Sequence, residues 1–247
     1  MNKTIILKIN NLSLEIGGKI LLKNLSLEVK KGEIISVIGA NGSGKTSFLK
    51  TILGLNKSFE GSLEKNYKNI GYMPQNINLD KTIPLKVSEF FKIYNKVNDT
   101  KIKEFLDKFG ASNLNEKNIN SLSGGELQKV LIINSILEEP ELLLLDEPTN
   151  NIDIEAEELF YKLVDDIKTI FPGISIIMVS HNMKLVYHHS STIIALHGKF
   201  HCHGTIKDLK KDENFSRYFG NYTAYFEHYH KTSIETEKLK DLKKMFI

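Results

Sequence analysis

One short segment of the sequence combines glycines, a lysine and a threonine in a spacing suited to phosphate binding. Its residues, with the serine that follows, are Gly39, Ala40, Asn41, Gly42, Ser43, Gly44, Lys45, Thr46 and Ser47. The order matches G-x-x-x-x-G-K-[ST], in which glycines let backbone N–H groups turn around phosphate oxygens. We therefore expect Lys45 to reach the β- and γ-phosphates of a nucleotide and the Thr46 hydroxyl to ligate Mg²⁺.

Two adjacent carboxylates end an apolar run later in the chain. Asp146 and Glu147 directly follow four leucines and precede Pro148. A run of this kind is typical of a parallel strand buried on both faces, and ligands bind at the carboxyl ends of such strands. Asp146 is therefore predicted to hold Mg²⁺, directly or through water. Glu147 is predicted to be the base that polarises an attacking water.

Apolar periodicity predicts the strands that must position these groups. Residues 34–38, 142–145 and 174–179 are almost wholly apolar, as in strands buried on both faces of a parallel sheet. Residues 12–16 and 25–29 alternate apolar and polar side chains, which predicts half-buried antiparallel strands. The phosphate loop would directly follow the strand at 34–38.

Helical patterns separate these strands and indicate an α/β domain with a parallel core. In residues 159–167, apolar side chains recur at three- and four-residue spacing, and Pro172-Gly173 ends the run. About residues 79–135 are predicted to form a helical subdomain inserted between two strands of the core. We expect one domain over residues 1–220 and a C-terminal tail over residues 221–247.

Composition limits the classes of function. The chain has 247 residues, 41% hydrophobic and 26% charged, as in an ordinary globular protein. A net charge of +3, with lysines scattered among acids, argues against a nucleic-acid partner. Cys202 is the only cysteine, which excludes an intrachain disulfide and fits a reducing cytosol. No apolar run approaches the roughly 18 residues of a membrane span, so membrane work would require docking to a partner.

A second motif precedes a predicted helix and completes a recognisable set. It comprises Leu122 and then Ser123, Gly124, Gly125 and Glu126. Ser123 can cap the helix, and the glycines leave N–H groups open to an anion. With the phosphate loop, the Asp-Glu-Pro strand end and a histidine after the next strand, almost the whole chain resembles an ATP-binding cassette (ABC) ATPase. The resemblance implies ATP and Mg²⁺ as ligands. It also implies a P-loop NTPase (RecA-like) core with an antiparallel β subdomain and an inserted α-helical subdomain.

The resemblance also assigns roles to single residues. Gln75 matches the glutamine that senses Mg²⁺, beside Thr46 and Asp146, and couples the subdomains. His181 matches the histidine that contacts the γ-phosphate, and Asp153 the aspartate that communicates across a dimer. In this family ATP lies between the phosphate loop of one subunit and the signature serine of the other. One copy of each motif therefore implies a homodimer, or pairing with a sister subunit.

A narrower resemblance concerns the transported substrate. Residues 70–76, 79–80, 83–87 and 122–130 are similar to the ATP-binding subunits of bacterial high-affinity zinc uptake systems, as are residues 202–205, 215 and 219–220. This implies a peripheral subunit on the cytoplasmic face of the inner membrane. It would power metal import through a separate multispan permease, supplied indirectly by an extracytoplasmic metal-binding protein. Manganese and iron importers remain alternatives.

A soluble, ribosome-acting ABC ATPase is a further alternative. Two features resemble that group: Glu126 replaces the commoner glutamine, and the sequence of residues 147–150 is similar. However, its members usually carry two cassettes, and only one fits in this chain.

Histidines near the C-terminus have the chemistry of zinc ligands. They are His201, His203, His228 and His230. Solvated histidines on a hairpin and a tail are an equally good interpretation. Two other positions depart from the ABC pattern: Ile16 stands where an aromatic residue usually stacks on adenine, and residues 133–135 read Ile-Asn-Ser where Ala-Arg-Ala is typical.

Overall fold

The computed structural model describes residues 4–77, 79–80, 82–150 and 154–220. Its strands form two sheets. The three-stranded antiparallel sheet has the order β2-β1-β4. Its strands are β1 (Ile5–Ile16), β2 (Lys19–Lys30) and β4 (Phe59–Lys65). The six-stranded sheet has the order β5-β6-β7-β3-β8-β9. Its strands are β3 (Ile34–Gly39), β5 (Ile70–Met73), β6 (Leu142–Asp146), β7 (Ser175–Val179), β8 (Thr192–His197) and β9 (Phe200–Gly204).

The six-stranded sheet carries the phosphate loop. Its strands are parallel except β9, which pairs antiparallel with β8. Every residue of β3, β6 and β7 is buried. The three predicted parallel strands are therefore confirmed, with β7 beginning one residue later than expected. Apolar side chains fill both faces of the sheet because packed layers cover it on both sides.

The smaller sheet confirms the two predicted half-buried strands and extends both. β1 and β2 pair along their length, and a turn at Gly17 and Gly18 joins them. Irregularities in the pairing coincide with Asn11 and Asn24, whose φ values are 51° and 55°. The sheet buries its apolar face in the same core as β3, and the end of β1 brings Ile16 toward the phosphate loop.

Helices lie between and after the strands of the described ranges. They are α1 (Lys45–Leu53), α2 (Val87–Tyr94), α3 (Asp99–Lys108), α4 (Gly124–Ile136), α5 (Ile154–Ile170), α6 (Met183–His189) and α7 (Ile206–Leu209). Short 3₁₀ turns lie at Ser112–Leu114 and Ile119–Ser121. In α5, Phe160, Val164 and Ile167 are buried as the periodicity predicts, whereas Leu159 is 54% exposed. α2, α3 and α4 lie between β5 and β6 in the chain, and α4 ends one residue beyond the stretch of about residues 79–135 that was predicted to be helical.

Across the described parts of the chain, none of the helices has both the length and the apolar character that a membrane span requires.

Candidate nucleotide-binding site

The phosphate loop connects β3 to α1, and two of its glycines are required by its geometry. Gly39 has a φ of 152°, and a Cβ there would lie 2.3 Å from the carbonyl oxygen of Leu196 on β8. Gly44 caps α1 with a φ of 100°, a left-handed conformation that side chains disfavour. The helix begins at Lys45. The first N–H groups of α1 therefore point into the loop, where they can stabilise an anion.

Lys45 is held inside the loop. Its Nζ donates to the carbonyl oxygens of Gly39 at 3.0 Å and Ala40 at 3.1 Å. The same atom lies 3.6 Å from Glu147 Oε1. Burial lowers the pKa of the Lys45 ammonium, and the nearby carboxylates of Glu147 and Asp146 partly oppose that shift. The lysine is thus a largely dehydrated cation at the point where phosphates are expected.

Thr46 and Asp146 meet as the sequence predicts. The Thr46 hydroxyl donates to Asp146 Oδ1 at 3.1 Å, and the Tyr72 hydroxyl donates to Oδ2 at 3.4 Å. Burial raises the pKa of the Asp146 carboxyl, and burial together with Asp146 raises the pKa of Tyr72 to about 12. A hydroxyl and a carboxylate oxygen side by side are hard ligands, the kind that Mg²⁺ prefers. These residues therefore fit a magnesium ion.

Several side chains contact the carboxylate of Glu147. Its Oε2 accepts from Gln75 Nε2 at 2.7 Å and from Asn150 Nδ2 at 3.1 Å. Its Oε1 lies 2.9 Å from His181 Nε2. The Glu147 side chain is only 10% exposed. The structure thus brings Gln75, Glu147, His181 and Lys45 together, as the predicted catalytic roles require, although Gln75 contacts Glu147 and not Asp146.

The backbone at Glu147 is strained. Its φ is 47°, in the left-handed region that residues other than glycine seldom adopt. The Glu147 N–H donates to the carbonyl oxygen of Val179 on β7 at 3.1 Å. Such strain persists where the surrounding structure enforces it, and it clusters at functional sites.

These groups open onto one cleft of about 700 Å³. The phosphate-loop residues in its wall are Asn41, Gly42, Gly44, Lys45, Thr46 and Ser47, joined by Gln75, Glu147, Asn150 and His181. Ile16, Lys19 and Leu21, from the hairpin of β1 and β2, complete the wall, and Leu21 also lies against Gly44. The volume suits a nucleotide-sized ligand. Ile16 stands in the cleft wall, where the family resemblance places the residue that contacts the base.

Ser43, within the phosphate loop, has an unsatisfied hydroxyl. Its side chain is buried, and among the described residues its Oγ has no hydrogen-bond partner. Buried polar atoms are nearly always paired, so an unpaired one in a phosphate loop fits a segment that gains partners when a ligand binds.

The signature residues lie at the start of α4. Ser123 caps the helix by accepting from Glu126 N–H, and Glu126 reaches back to Ser123 N–H at 2.9 Å. Lys117 Nζ donates to the Glu126 carboxylate at 2.8 Å, and these contacts lower the pKa of Glu126 to about 2. Gly125 permits close packing, since a Cβ there would lie 3.2 Å from Ala156 Cβ on α5.

The signature faces a different cavity from the phosphate loop. Its four residues line a pocket of about 540 Å³ together with Gln128, Lys129 and residues of α5. None of the four is among the residues that line the larger cleft. Within one chain, therefore, the two motifs do not form a common pocket.

The proposed zinc ligands are only partly within the described residues. His201 and His203 lie two residues apart on β9, with His201 half-buried and His203 exposed. Burial raises the pKa of the neighbouring Cys202 thiol to about 12. The described ranges contain no group of three or more metal-binding side chains. His228, His230 and Asp153 lie outside the described residues, so the zinc site and the Asp153 role remain predictions.

Three residues of the cleft wall were not predicted from the sequence. Asn150, Lys19 and Leu21 line the cleft without matching any motif position assigned a role. Asn150 could have been found from its place three residues after Glu147 in a segment that contains Pro148, because proline favours a tight turn. Lys19 and Leu21 follow the turn after Ile16, and only the sheet geometry reveals that they face the loop.

The fold and the site define a P-loop nucleoside triphosphatase: a phosphate loop follows a buried parallel strand, and two acids end another strand of the same sheet. Residues 22–150 match the ABC transporter family. The chain belongs to that family, and its predicted class, an ATP-binding subunit with ATPase activity, is confirmed.

Relatives match along nearly the full chain. A protein of Buchnera aphidicola subsp. Baizongia pistaciae (strain Bp), named zinc import ATP-binding protein ZnuC, is 37% identical over 92% of this chain and 97% of its own. A protein of the same name from Wigglesworthia glossinidia brevipalpis is 36% identical over 91% of this chain and 99% of its own. The protein of the same name from Rickettsia bellii (strain RML369-C) is 34% identical over 91% of this chain and 98% of its own.

Solved structures show the same fold. An ATP-binding cassette of an ABC transporter in its ADP conformation matches with a TM-score of 0.74 at 20% identity, over 87% of this chain and 98% of that one. An ATP binding subunit of an ABC transporter matches with a TM-score of 0.74 at 22% identity, over 89% of this chain and 100% of that one. The predicted fold class, a P-loop NTPase with mixed α/β sheets, is confirmed.

Proposed function

We propose that this chain is the ATP-hydrolysing subunit that powers import of zinc through a separate membrane permease. The observation that carries this proposal is the agreement of relatives named zinc import ATP-binding proteins, at 34–37% identity over more than nine-tenths of both chains. The narrower sequence resemblance to zinc uptake systems supports the same substrate. Nothing observed favours manganese, iron or the ribosome over zinc.

The contacts around Glu147 support a mechanism for hydrolysis. The phosphate loop and Lys45 would bind the triphosphate, while Thr46 and Asp146, with Gln75 nearby, would hold Mg²⁺. When bound, Mg²⁺ neutralises charge that develops on the phosphate oxygens. Glu147 accepts a hydrogen bond from the attacking water and orients it toward the γ-phosphate. His181, 2.9 Å from Glu147 Oε1, supplies a contact between that carboxylate and the γ-phosphate region.

The separation of the two pockets supports a homodimer. Because Ser123, Gly124, Gly125 and Glu126 line their own cavity, they are available to the nucleotide of a second subunit. Asp153 would then communicate across the interface. ATP bridging the two halves couples binding to closure, which a permease can use as mechanical work. We place the subunit at the cytoplasmic face of the membrane, with an extracytoplasmic metal-binding protein supplying the permease.

We also propose a nucleotide-binding domain over residues 1–220, with a helical subdomain over about residues 79–135. The predicted C-terminal tail, residues 221–247, lies outside the described residues.

Metal-dependent growth tests the substrate. Cells that lack this subunit should grow poorly only when zinc is limiting, and added zinc should restore growth. A chromosomal copy carrying Glu147→Gln should behave as the deletion does, which ties the defect to hydrolysis. Rescue by manganese or iron alone would contradict zinc as the substrate but would leave the proposed role in metal import standing. Co-sedimentation with ribosomes, without association with a multispan permease, would contradict import.

A further inference from the structure

Two side-chain amides donate to the same oxygen of Glu147. Gln75 Nε2 lies 2.7 Å and Asn150 Nδ2 lies 3.1 Å from Oε2. A carboxylate oxygen offers about two lone-pair sites, so these two amides fill Oε2. The other oxygen, Oε1, contacts His181 Nε2 at 2.9 Å and lies 3.6 Å from Lys45 Nζ. The two oxygens of Glu147 are therefore not equivalent.

The turn after β6 explains why Asn150 reaches back to Glu147. The Asn150 N–H donates to the Glu147 carbonyl oxygen at 3.1 Å, which closes a four-residue turn. Pro148 occupies the second position of that turn, where its fixed φ is favoured. The turn holds Asn150 close to Glu147, and its exposed side chain returns over the carboxylate at the edge of the cleft.

Glu147 needs this restraint. Its φ of 47° is a backbone conformation that residues other than glycine seldom adopt. A carboxylate without such contacts could turn about its last torsion and point neither oxygen at the water, because such terminal torsions are broad. With Oε2 fixed by two amides, rotation is blocked and Oε1 is the oxygen left for a group that arrives with the nucleotide.

We propose that Asn150 is a positioning residue for ATP hydrolysis, whose amide fixes Oε2 of Glu147 so that Oε1 faces the attacking water. This rests on the proposed role of Glu147 as the base. Lys45, which lies near Oε1 in this structure, has phosphates to bind once ATP enters, and Oε1 is then open to water. Asn150 itself touches neither the water nor the phosphates in this scheme.

The test compares two substitutions in the purified full-length chain. Asn150→Asp keeps the size of the side chain but replaces the donor with a second carboxylate. We expect kcat to fall on the order of tenfold to hundredfold, as for a misaligned catalytic group. The KM for ATP should rise as well, because the new carboxylate lies in the cleft wall and repels the triphosphate.

The second substitution separates positioning from packing. Asn150→Ala also removes the donor but adds no charge to the cleft wall, so its kcat should fall while its KM for ATP changes by less than about twofold. Asn66→Asp is the matched control, since it makes the same charge change at an exposed residue after β4, outside the cleft wall. It should behave as the unmodified chain does.

Several results would overturn the proposal. One is an Asn150→Ala variant with a normal kcat. Another is an Asn150→Ala variant whose KM for ATP rises as much as its kcat falls, which would assign Asn150 a role in packing or in nucleotide binding. Glu147→Gln is measured in parallel. If that variant hydrolyses ATP normally, the role of Glu147 as base has failed, and this failure is distinct from that of Asn150.

Discussion

The two ends of the nucleotide cleft are built in different ways. At the phosphate-loop end, Lys45 and Asp146 are 5% and 1% exposed, and their polar atoms are paired with neighbouring groups. At the opposite end, Ile16 is 47% exposed and stands beside Lys19. Buried groups that are already hydrogen-bonded are held in place before a ligand arrives. An exposed isoleucine supplies only apolar contact, which does not orient a ligand. We therefore expect the phosphate end to determine affinity and turnover, and the Ile16 end to contribute little to base selection.

Glu147→Gln tests the phosphate end where the effect should be largest. The substitution keeps the shape of the side chain but removes the charge that polarises water. We expect turnover to fall at least about a hundredfold, the lower range for loss of a general base. ATP binding should be retained, and the variant should accumulate as an ATP-bound dimer, measured by gel filtration. Near-normal hydrolysis would remove Glu147 from this role.

Lys45→Ala is the matched counterpart at the same end. It removes a buried cation whose expected partners are phosphates, so it should weaken nucleotide binding itself. Hydrogen bonds to charged groups contribute about 1.5–3 kcal/mol, roughly a tenfold to hundredfold change in Kd. Unchanged affinity in a fluorescent-nucleotide titration would contradict the assignment of the phosphate loop.

Ile16→Tyr tests the other end, with a smaller expected effect. Stacking of a base on an aromatic ring contributes about 1–3 kcal/mol. A gain of about 1.4 kcal/mol would lower the Kd for ATP tenfold. Ile16→Leu, which keeps apolar contact without a flat ring, should leave the Kd unchanged. The unmodified chain should discriminate only modestly between ATP and GTP. If Ile16→Tyr does not tighten binding, another group already covers the base.

Glu126→Gln extends the comparison to the signature pocket and should have the smallest effect. Glu126 and Lys117 are 30% and 43% exposed, so we expect a loss of about 0.5 kcal/mol in the free energy of unfolding at neutral pH. The folded-state pKa of Glu126, about 2, lies below its ordinary value of 4.5. Its contribution is therefore present above about pH 4.5 and is lost as the pH falls toward 2.

Urea titrations of both proteins at neutral and acidic pH measure this difference. It should shrink as the pH is lowered. It should also be smaller in a Lys117→Met background, because the ion pair is then already lost. A difference that is constant with pH would exclude the carboxylate as its source.

The sequence predicted the sheet better than the contacts within the site. β3, β6 and β7 were predictable because continuous apolar runs of this length suit few other structures. The phosphate loop followed from its spacing alone. Leu159 fitted the helical period but is exposed, because periodicity finds one face of a helix and does not fix its edges.

The environment of Glu147 could not be predicted from motifs. Gln75, Asn150 and His181 come from three segments, and their distances to one carboxylate depend on how β5, β6 and β7 are placed in the sheet. The family resemblance supplied two of these residues. The third depends on a turn with Pro148, a local feature whose return toward Glu147 becomes evident only in three dimensions.

The single cysteine has a practical consequence for measuring the dimer. Burial raises the pKa of the Cys202 thiol to about 12, so almost none of it is thiolate at neutral pH. Since thiolate is the form that attacks maleimides, Cys202 should react slowly. A cysteine introduced on an exposed surface would therefore take up a fluorophore selectively with Cys202 left in place. Energy transfer between two such labelled subunits would report their approach directly as ATP is added.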